Sequence, residues 1–330
     1  MRVKKLLATN EMIVVYIIAC LSAVIALVNP AFASPATLVS LSRAMLVTLM
    51  FAMCEMIVIV SGGIDVSFPA VASLAMYGTV QIALATGLDN AWASYGIALL
   101  IGVACGALNA LLIAVVRIPP LIATLGTSSI ISGATLAFIG VKIVSNIPAS
   151  LDGLGKVSLL TYTSPDGVSY ALTALFLIPV GICVLCYLML RYTMLGRSIY
   201  AIGGDQRAAH VAGFNVRGTQ FFVYMLSGGI AGLGGITYMT LMRQADPSVL
   251  MGSEMMVIAA VVMGGTRITG GHGKVIGTVL GVALITLIKN NLIMLGVPAH
   301  FQTFVVGMVI VVGTSITSLR AKSSANRAKV

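Results

Sequence analysis

The chain has 330 residues, of which 59% are hydrophobic and 8% charged, with a formal net charge of +10. Soluble domains carry roughly 25% charged residues, and this much apolar surface exceeds what the few polar groups could cover in water. Nucleic-acid binding is also excluded, because the Lys and Arg residues lie between apolar runs instead of clustering with aromatics on one face.

In chain order, Arg2, Lys4 and Lys5 precede an apolar run over 12–28, followed by Ala31-Phe32-Ala33. The pattern is similar to a secretory signal, but the run is long enough to span a bilayer and more spans follow, so it reads as an uncleaved first helix. Further apolar runs predict helices near 39–60, 69–86, 93–115, 120–141, 168–190 and 219–242, a short one near 254–265, and two more near 275–294 and 301–319. The expectation is an all-α integral membrane protein of about ten transmembrane helices, in one transmembrane domain over 1–330. No polar stretch is long enough to bury a core of its own.

With the N-terminus inside, 14 of the 19 Lys and Arg residues fall in inner segments; the other five are Arg43, Lys142, Lys156, Arg243 and Lys289. This bias predicts cytoplasmic termini. Two loops stand out: a polar outer one over 142–167, holding Asp152 and Asp166, and a basic inner one over 191–218. Segment 55–63 and segment 254–265 share a Glu-Met-hydrophobic run leading to paired glycines, as an internal repeat or by chance.

Catalytic and metal sites are not expected. His210, His272 and His300 are far apart, and no zincin, nucleophile-elbow or paired-carboxylate motif occurs. Cys183 and Cys186 form a C-x-x-C inside an apolar run, where packing is the simpler reading. Gly270-Gly271-His272-Gly273-Lys274 lacks the first Gly and the final Ser/Thr of a phosphate loop, with Ile268 and Val275 in their places. The chain is therefore expected to bind no cofactor and not to split ATP. Ionisable groups within spans are expensive. Arg43 and Lys289 can snorkel, whereas Glu55 lies deeper and Glu254 is expected at the outer start of a short span; with Asp65 and Asn109 these two carboxylates are the candidate translocation-path residues. In 61–67, Gly62 and Gly63 break the helix, and Asp65 and Ser67 are placed to cap the next one.

Four segments resemble the permease subunit of ribose-type ABC importers, within the branched-chain amino acid/ribose permease family. Ser61-Gly62-Gly63-Ile64-Asp65-Val66-Ser67 is similar to that branch's GGIDLS signature. Arg117-Ile118-Pro119-Pro120-Leu121-Ile122-Ala123-Thr124-Leu125-Gly126 is similar to its (K/R)IPxxIxTLG segment. Gly196-Arg197-Ser198-Ile199-Tyr200-Ala201-Ile202-Gly203-Gly204-Asp205 resembles GRxxYAIGGN, and 258–273 resembles IAAVVIGG…GGxG. The four occur in the family's order along nearly the whole chain.

The resemblance implies the ten-span ABC permease core and import of a monosaccharide or related polyol by alternating access. It implies a second permease copy or sister permease, two cytoplasmic ATPase subunits that use ATP and Mg, and a periplasmic or lipid-anchored binding protein. The location implied is the bacterial inner membrane. Arg207-Ala208-Ala209-His210-Val211-Ala212-Gly213 resembles the E-A-A-x-x-x-G segment that docks on the ATPase, with Arg207 in place of the acidic residue. Arg197, Asp205, Arg207, Ala208, Ala209 and Gly213 are thus the expected coupling residues. Phe68-Pro69 departs from the family's Val-Gly, and Pro there should rigidify the start of the third span. Nucleosides, a furanosyl signalling molecule or branched-chain amino acids are alternative cargoes, and an ion-coupled secondary transporter is the alternative from another class.

Overall fold

Apolar segments in lipid must satisfy their own backbone groups, and the helix does so within one segment. The computed structural model describes residues 10–164 and 167–291, with positions 298, 301, 304, 307, 308 and 311. The first five helices are α1 (Asn10–Val28), α2 (Pro35–Val60), α3 (Phe68–Thr86), α4 (Ala91–Ala110) and α5 (Pro120–Ala134). One π-helical turn extends α4 over Leu111–Val115 and another extends α5 over Thr135–Ile139. Proline stands in the first turn of α2, α3 and α5, where its missing N–H costs nothing. Pro69 does start α3, and the adjacent Phe68 ring packs 5.3 Å from that of Phe51.

The polar loop over 142–167 folds into a short helix α6 (Ala149–Lys156) and a strand β1 (Ser158–Thr163), which pairs antiparallel with β2 (Ser169–Thr173). The helix expected from 168 therefore begins later. Its first residues are hairpin, and α7 spans Leu177–Tyr192. Then come α8 (Met194–Gly204), α9 (Gln206–Val211), α10 (Val216–Met242), α11 (Glu254–Met263) and α12 (Val275–Asn291). Seven of these segments are long and apolar enough to cross a membrane; α11 and α12 are shorter apolar helices. Of the expected tenth span, 301–319, positions 301, 304, 307, 308 and 311 alone are described, and the end of the ninth, 292–294, lies outside the described residues. So do Arg2, Lys4, Lys5, Asp166, His300 and the basic C-terminal residues.

Helix α10 is the hub, packed against α4, α3 and α2. Small residues allow this: a side chain on Gly102 would strike the carbonyl of Gly228, one on Gly106 that of Tyr224, and one on Gly235 that of Ala72. The apolar side chains of α1, α5 and α7 face outward to a larger extent, as lipid-facing helices do. Arg43 and Lys289 are exposed, as snorkelling requires.

Contacts sort the loops into two ends. At one, Ser150 N–H donates to Asp89 (2.7 Å), Val144 bridges Ala245, and Arg243 pairs with Asp152 at 3.1 Å. At the other, the linkers after α2, α4, α7, α9 and α11 gather. There Gly271 N–H donates to Val60 O (2.9 Å) and the Tyr200 hydroxyl to Gly273 O (2.7 Å). The glycine-rich stretch after α11 is a tight turn, and its Lys274 pairs with Glu11 at 2.6 Å. Both α2 and α11 lead into a glycine of positive φ, Gly62 at 88° and Gly265 at 95°. The carboxylates do not follow the echo. Glu55 lies near the end of a long helix, and Glu254 in the first turn of a short one.

Candidate functional site

The linker over 61–67 folds back along the last turns of α2. Gly62 turns the chain, and the N–H of Asp65 then donates to both oxygens of the Glu55 carboxylate at 3.3 Å. The Ser67 N–H (2.8 Å) and hydroxyl (2.6 Å) donate to one Asp65 oxygen, and the Ser227 hydroxyl from α10 donates to the other at 3.2 Å. Asn109 of α4 donates to the Ser67 hydroxyl (2.8 Å) and accepts from Thr127 of α5 (2.7 Å). Thr124, one turn earlier, accepts from Val66 N–H (3.3 Å) and donates to Ile64 O (3.2 Å).

One hydrogen-bonded cluster thus ties a broken helix to three spans. It is closed to solvent: Glu55, Ser67 and Ser227 are 0% exposed, Asn109 1% and Asp65 2%. No cation forms a salt bridge with either carboxylate among the described residues. Two uncompensated carboxylates at such depth are costly.

Of the four path residues expected from sequence, Glu55, Asp65 and Asn109 meet in this cluster. Glu254 does not. It is half-buried in the first turn of α11, with no hydrogen bond to the cluster. The capping role expected of Asp65 and Ser67 also changes: Ser67 holds the N-cap position of α3 without a side-chain cap, because its hydroxyl is given to Asp65. Thr124 and Ser67 lay inside recognisable motifs. Thr127 and Ser227 carried no signal, since a small hydroxyl residue among glycines and alanines reads as helix packing.

The basic loop forms the second part. Thr193 caps α8 by accepting Gly196 N–H (3.1 Å), and Asn215 caps α10 by accepting Gly218 N–H (2.9 Å). Between them, Asp205 caps α9 by accepting the N–H groups of Arg207 (2.8 Å) and Ala208 (3.0 Å). Those donors hold its carboxyl below the ordinary carboxylate range. Gly213, at φ 89°, ends the motif. Arg197, Arg207, Ala208, His210 and Val211 are exposed, whereas Ala209 turns inward and is buried. Ala209 thus anchors α9, and the exposed neighbours present it. Asparagine caps as well as aspartate does. Asp205→Asn is therefore expected to leave the protease resistance of this loop unchanged, and Asp205→Ala to reduce it severalfold in limited proteolysis.

A glycine junction joins the two parts. A side chain on Gly203, in the last turn of α8, would strike Val60 O and lie 2.6 Å from Gly271 N. A side chain on Gly62 would lie 3.4 Å from the Gly203 Cα. The backbone of α8 therefore bears directly on the turn from which the buried cluster hangs, and α9 begins three residues after Gly203. Beside α9, a groove of ≈ 960 Å³ opens between the end of α4, the linker from Arg117 to Pro120, and the start of α10.

The family model for the branched-chain amino acid transport system / permease component matches residues 37–313, which include every residue of both parts. The chain is 31% identical over 297 residues to the ribose import permease protein RbsC of Escherichia coli (strain K12), covering 90% of each chain. It is 32% identical over 310 residues to the autoinducer 2 import system permease protein LsrC of Enterobacter sp. (strain 638), covering 93% of this chain and 86% of that one. It is 31% identical over 295 residues to RbsC of Bacillus subtilis (strain 168), covering 88% and 87%. No solved structure matches the chain. The extent of the family match and of the kinship on both sides leaves one assignment: this chain is a member of the branched-chain amino acid transport system permease component family.

Proposed function

We propose that this chain is the membrane-spanning permease subunit of an ATP-driven importer, with a monosaccharide or related polyol as its cargo. The observation that carries the reading is kinship over 90% of its length with a ribose import permease. The family description speaks of branched-chain amino acids, but the curated relatives just described are ribose and autoinducer 2 permeases. ATP and Mg are used by two partner ATPase subunits. A second permease copy or sister chain completes the path, and a periplasmic or lipid-anchored binding protein delivers the cargo.

The bias of basic residues toward the α8–α9 end supports placing that end in the cytoplasm of a bacterial inner membrane. A tenth span over 301–319 would return the C-terminus to the same side as the N-terminus. Exposed α9, with Arg197, Asp205, Arg207, Ala208 and Gly213 around it, is the docking element for the ATPase, and Ala209 seats it. When the ATPases close, α9 and α8 move together. The junction at Gly203 passes that movement to the turn after α2, and the cluster of Glu55, Asp65 and Asn109 shifts with it. Those three residues are then placed to face the path in one of the two alternating states, with Glu254 as a separate polar station nearer its other end.

Glu55→Gln removes a buried carboxyl group while keeping the side-chain shape. Uptake is expected to fall by about tenfold or more, equivalent to roughly 1.4 kcal/mol of barrier. The thermal midpoint should hold or rise, because a buried ionisable group with no cation partner is replaced by a neutral amide of the same shape. An unchanged uptake rate would remove Glu55 from the path. Cargo is tested by uptake of labelled ribose in cells expressing this chain with its ATPase and binding protein. Saturable uptake displaced by other pentoses is expected, and displacement by leucine alone would overturn the sugar assignment. A second reading, import of an autoinducer-type signal, is favoured by the 32% identity to LsrC. It predicts no saturable uptake of labelled ribose, and saturable uptake of autoinducer 2 that ribose does not displace.

A further inference from the structure

Among the described residues, two that are not glycine adopt left-handed backbone conformation, and both are arginines: Arg117 at φ 67° and Arg243 at φ 54°. A side chain at such a helix end costs conformational energy that glycine avoids. For Arg243 the compensation lies within the chain, since its Nε sits 3.1 Å from an Asp152 oxygen. Arg117 has the same backbone problem. It ends the π-helical turn of α4, where Ile118 N–H reaches back to Leu112 O (3.1 Å). Yet no salt bridge forms to Arg117, Arg207 or Arg217 among the described residues.

These three arginines and His210 line the same groove of ≈ 960 Å³, and no Asp or Glu lines it. The neighbouring acid, Asp205, is engaged with the backbone of α9. Apolar walls come from Ile118, Pro119 and Phe214. Val211, 88% exposed, stands on α9 at the rim. The site thus combines fork-shaped cations, apolar walls and an opening beside the helix assigned to the ATPase. Planar guanidinium groups favour carboxylates in bidentate geometry.

We propose that this groove seats an acidic segment of the cytoplasmic ATPase subunit, with a carboxylate of that segment pairing with Arg117 and Arg207. The inference rests on the importer reading above and adds to it the chemical character of the partner: the contact is inverted in charge, with the cation on the permease. Arg117 then plays toward its partner the part that Arg243 plays toward Asp152.

The test uses the full chain in neutral-lipid and in anionic-lipid vesicles, with binding of its purified ATPase subunit measured across a salt series. Arg117→Gly relieves the backbone and removes the cation. The expected result is an unchanged or raised thermal midpoint together with an ATPase dissociation constant raised about tenfold or more in both lipids. The salt dependence of binding should also be shallower than in the wild type. Arg207→Gln, on exposed α9, should weaken binding in the same direction and decides the matter if Arg117→Gly lowers the midpoint. Wild-type affinity in both variants overturns the acidic contact while leaving the importer reading standing. Weakening confined to anionic vesicles also overturns it, because the occupant is then a lipid headgroup. Failure of the ATPase to bind even the wild-type chain overturns the importer reading and this inference together.

Discussion

Gly203→Ala is expected to reduce uptake by about tenfold or more while the chain still reaches the membrane, and Gly204→Ala to transport normally. The two glycines are adjacent, so composition and local propensity change equally in both variants. Their surroundings differ: an added Cβ at Gly203 strikes Val60 O and crowds Gly271 N, whereas at Gly204 it meets nothing within 4 Å. Neither obstacle is a flexible side chain. The end of α2 or the 270–271 turn must move, at an overpacking cost of typically 1–3 kcal/mol. Because Gly271 N–H is also bonded to Val60 O (2.9 Å), the displacement breaks the contact by which α8 reaches the buried cluster. Uptake of the labelled cargo, with membrane levels measured alongside, checks this. Equal transport by both variants would mean that movement reaches the cluster by another route.

Gly106→Leu is expected to have the largest effect on stability, leaving little folded protein in mild detergent. Here α4 and α10 meet backbone to backbone. A side chain on Gly106 would strike Tyr224 O and lie 2.9 Å from the Met225 Cα, while Gly228 on the facing helix presses on Gly106 in return. Lipid supplies no hydrophobic force between helices, so close van der Waals packing must hold them. A leucine wedge separates the helices along the whole crossing. It also pulls Ser227 from Asp65 and Asn109 from Ser67, two of the bonds that close the cluster. The monodisperse fraction in size-exclusion chromatography reports the loss. Gly96→Leu, on the same helix with nothing within 4 Å of its Cβ, should fold as the wild type does.

Much of the architecture is legible from sequence because bilayer thickness sets helix length. The starts and ends of α2 to α5 fall within a few residues of the apolar runs. The hairpin is less legible. Residues 169–173 lie in a run whose average hydropathy suits a helix as well as a strand, and periodicity over so few residues does not separate the two. The same asymmetry runs through the candidate site. Glu55, Asp65 and Asn109 stand out because polarity is expensive where they lie. Ser227 and Thr127 do not, because a hydroxyl can return its hydrogen bond to its own helix, as Thr127 also does to Thr124 O at 3.2 Å. The glycine pairs at 62–63, 203–204 and 270–271 are plain in the sequence as punctuation. Their meeting at one junction is a long-range fact, carried by the packing of α8 against the end of α2. Arg117 is read in sequence as a motif residue, and only its φ of 67° reveals that it occupies a position where glycine would be easier.

The source of energy is tested most directly in proteoliposomes holding this chain, with its ATPase and binding protein added in turn. An ATP-driven permease predicts accumulation of labelled cargo only when the ATPase subunit, Mg and ATP are all present, and none under a proton or sodium gradient. Gradient-driven uptake by this chain alone, indifferent to ATP, would contradict it and make the buried pair Glu55 and Asp65 the centre of an ion-coupled carrier.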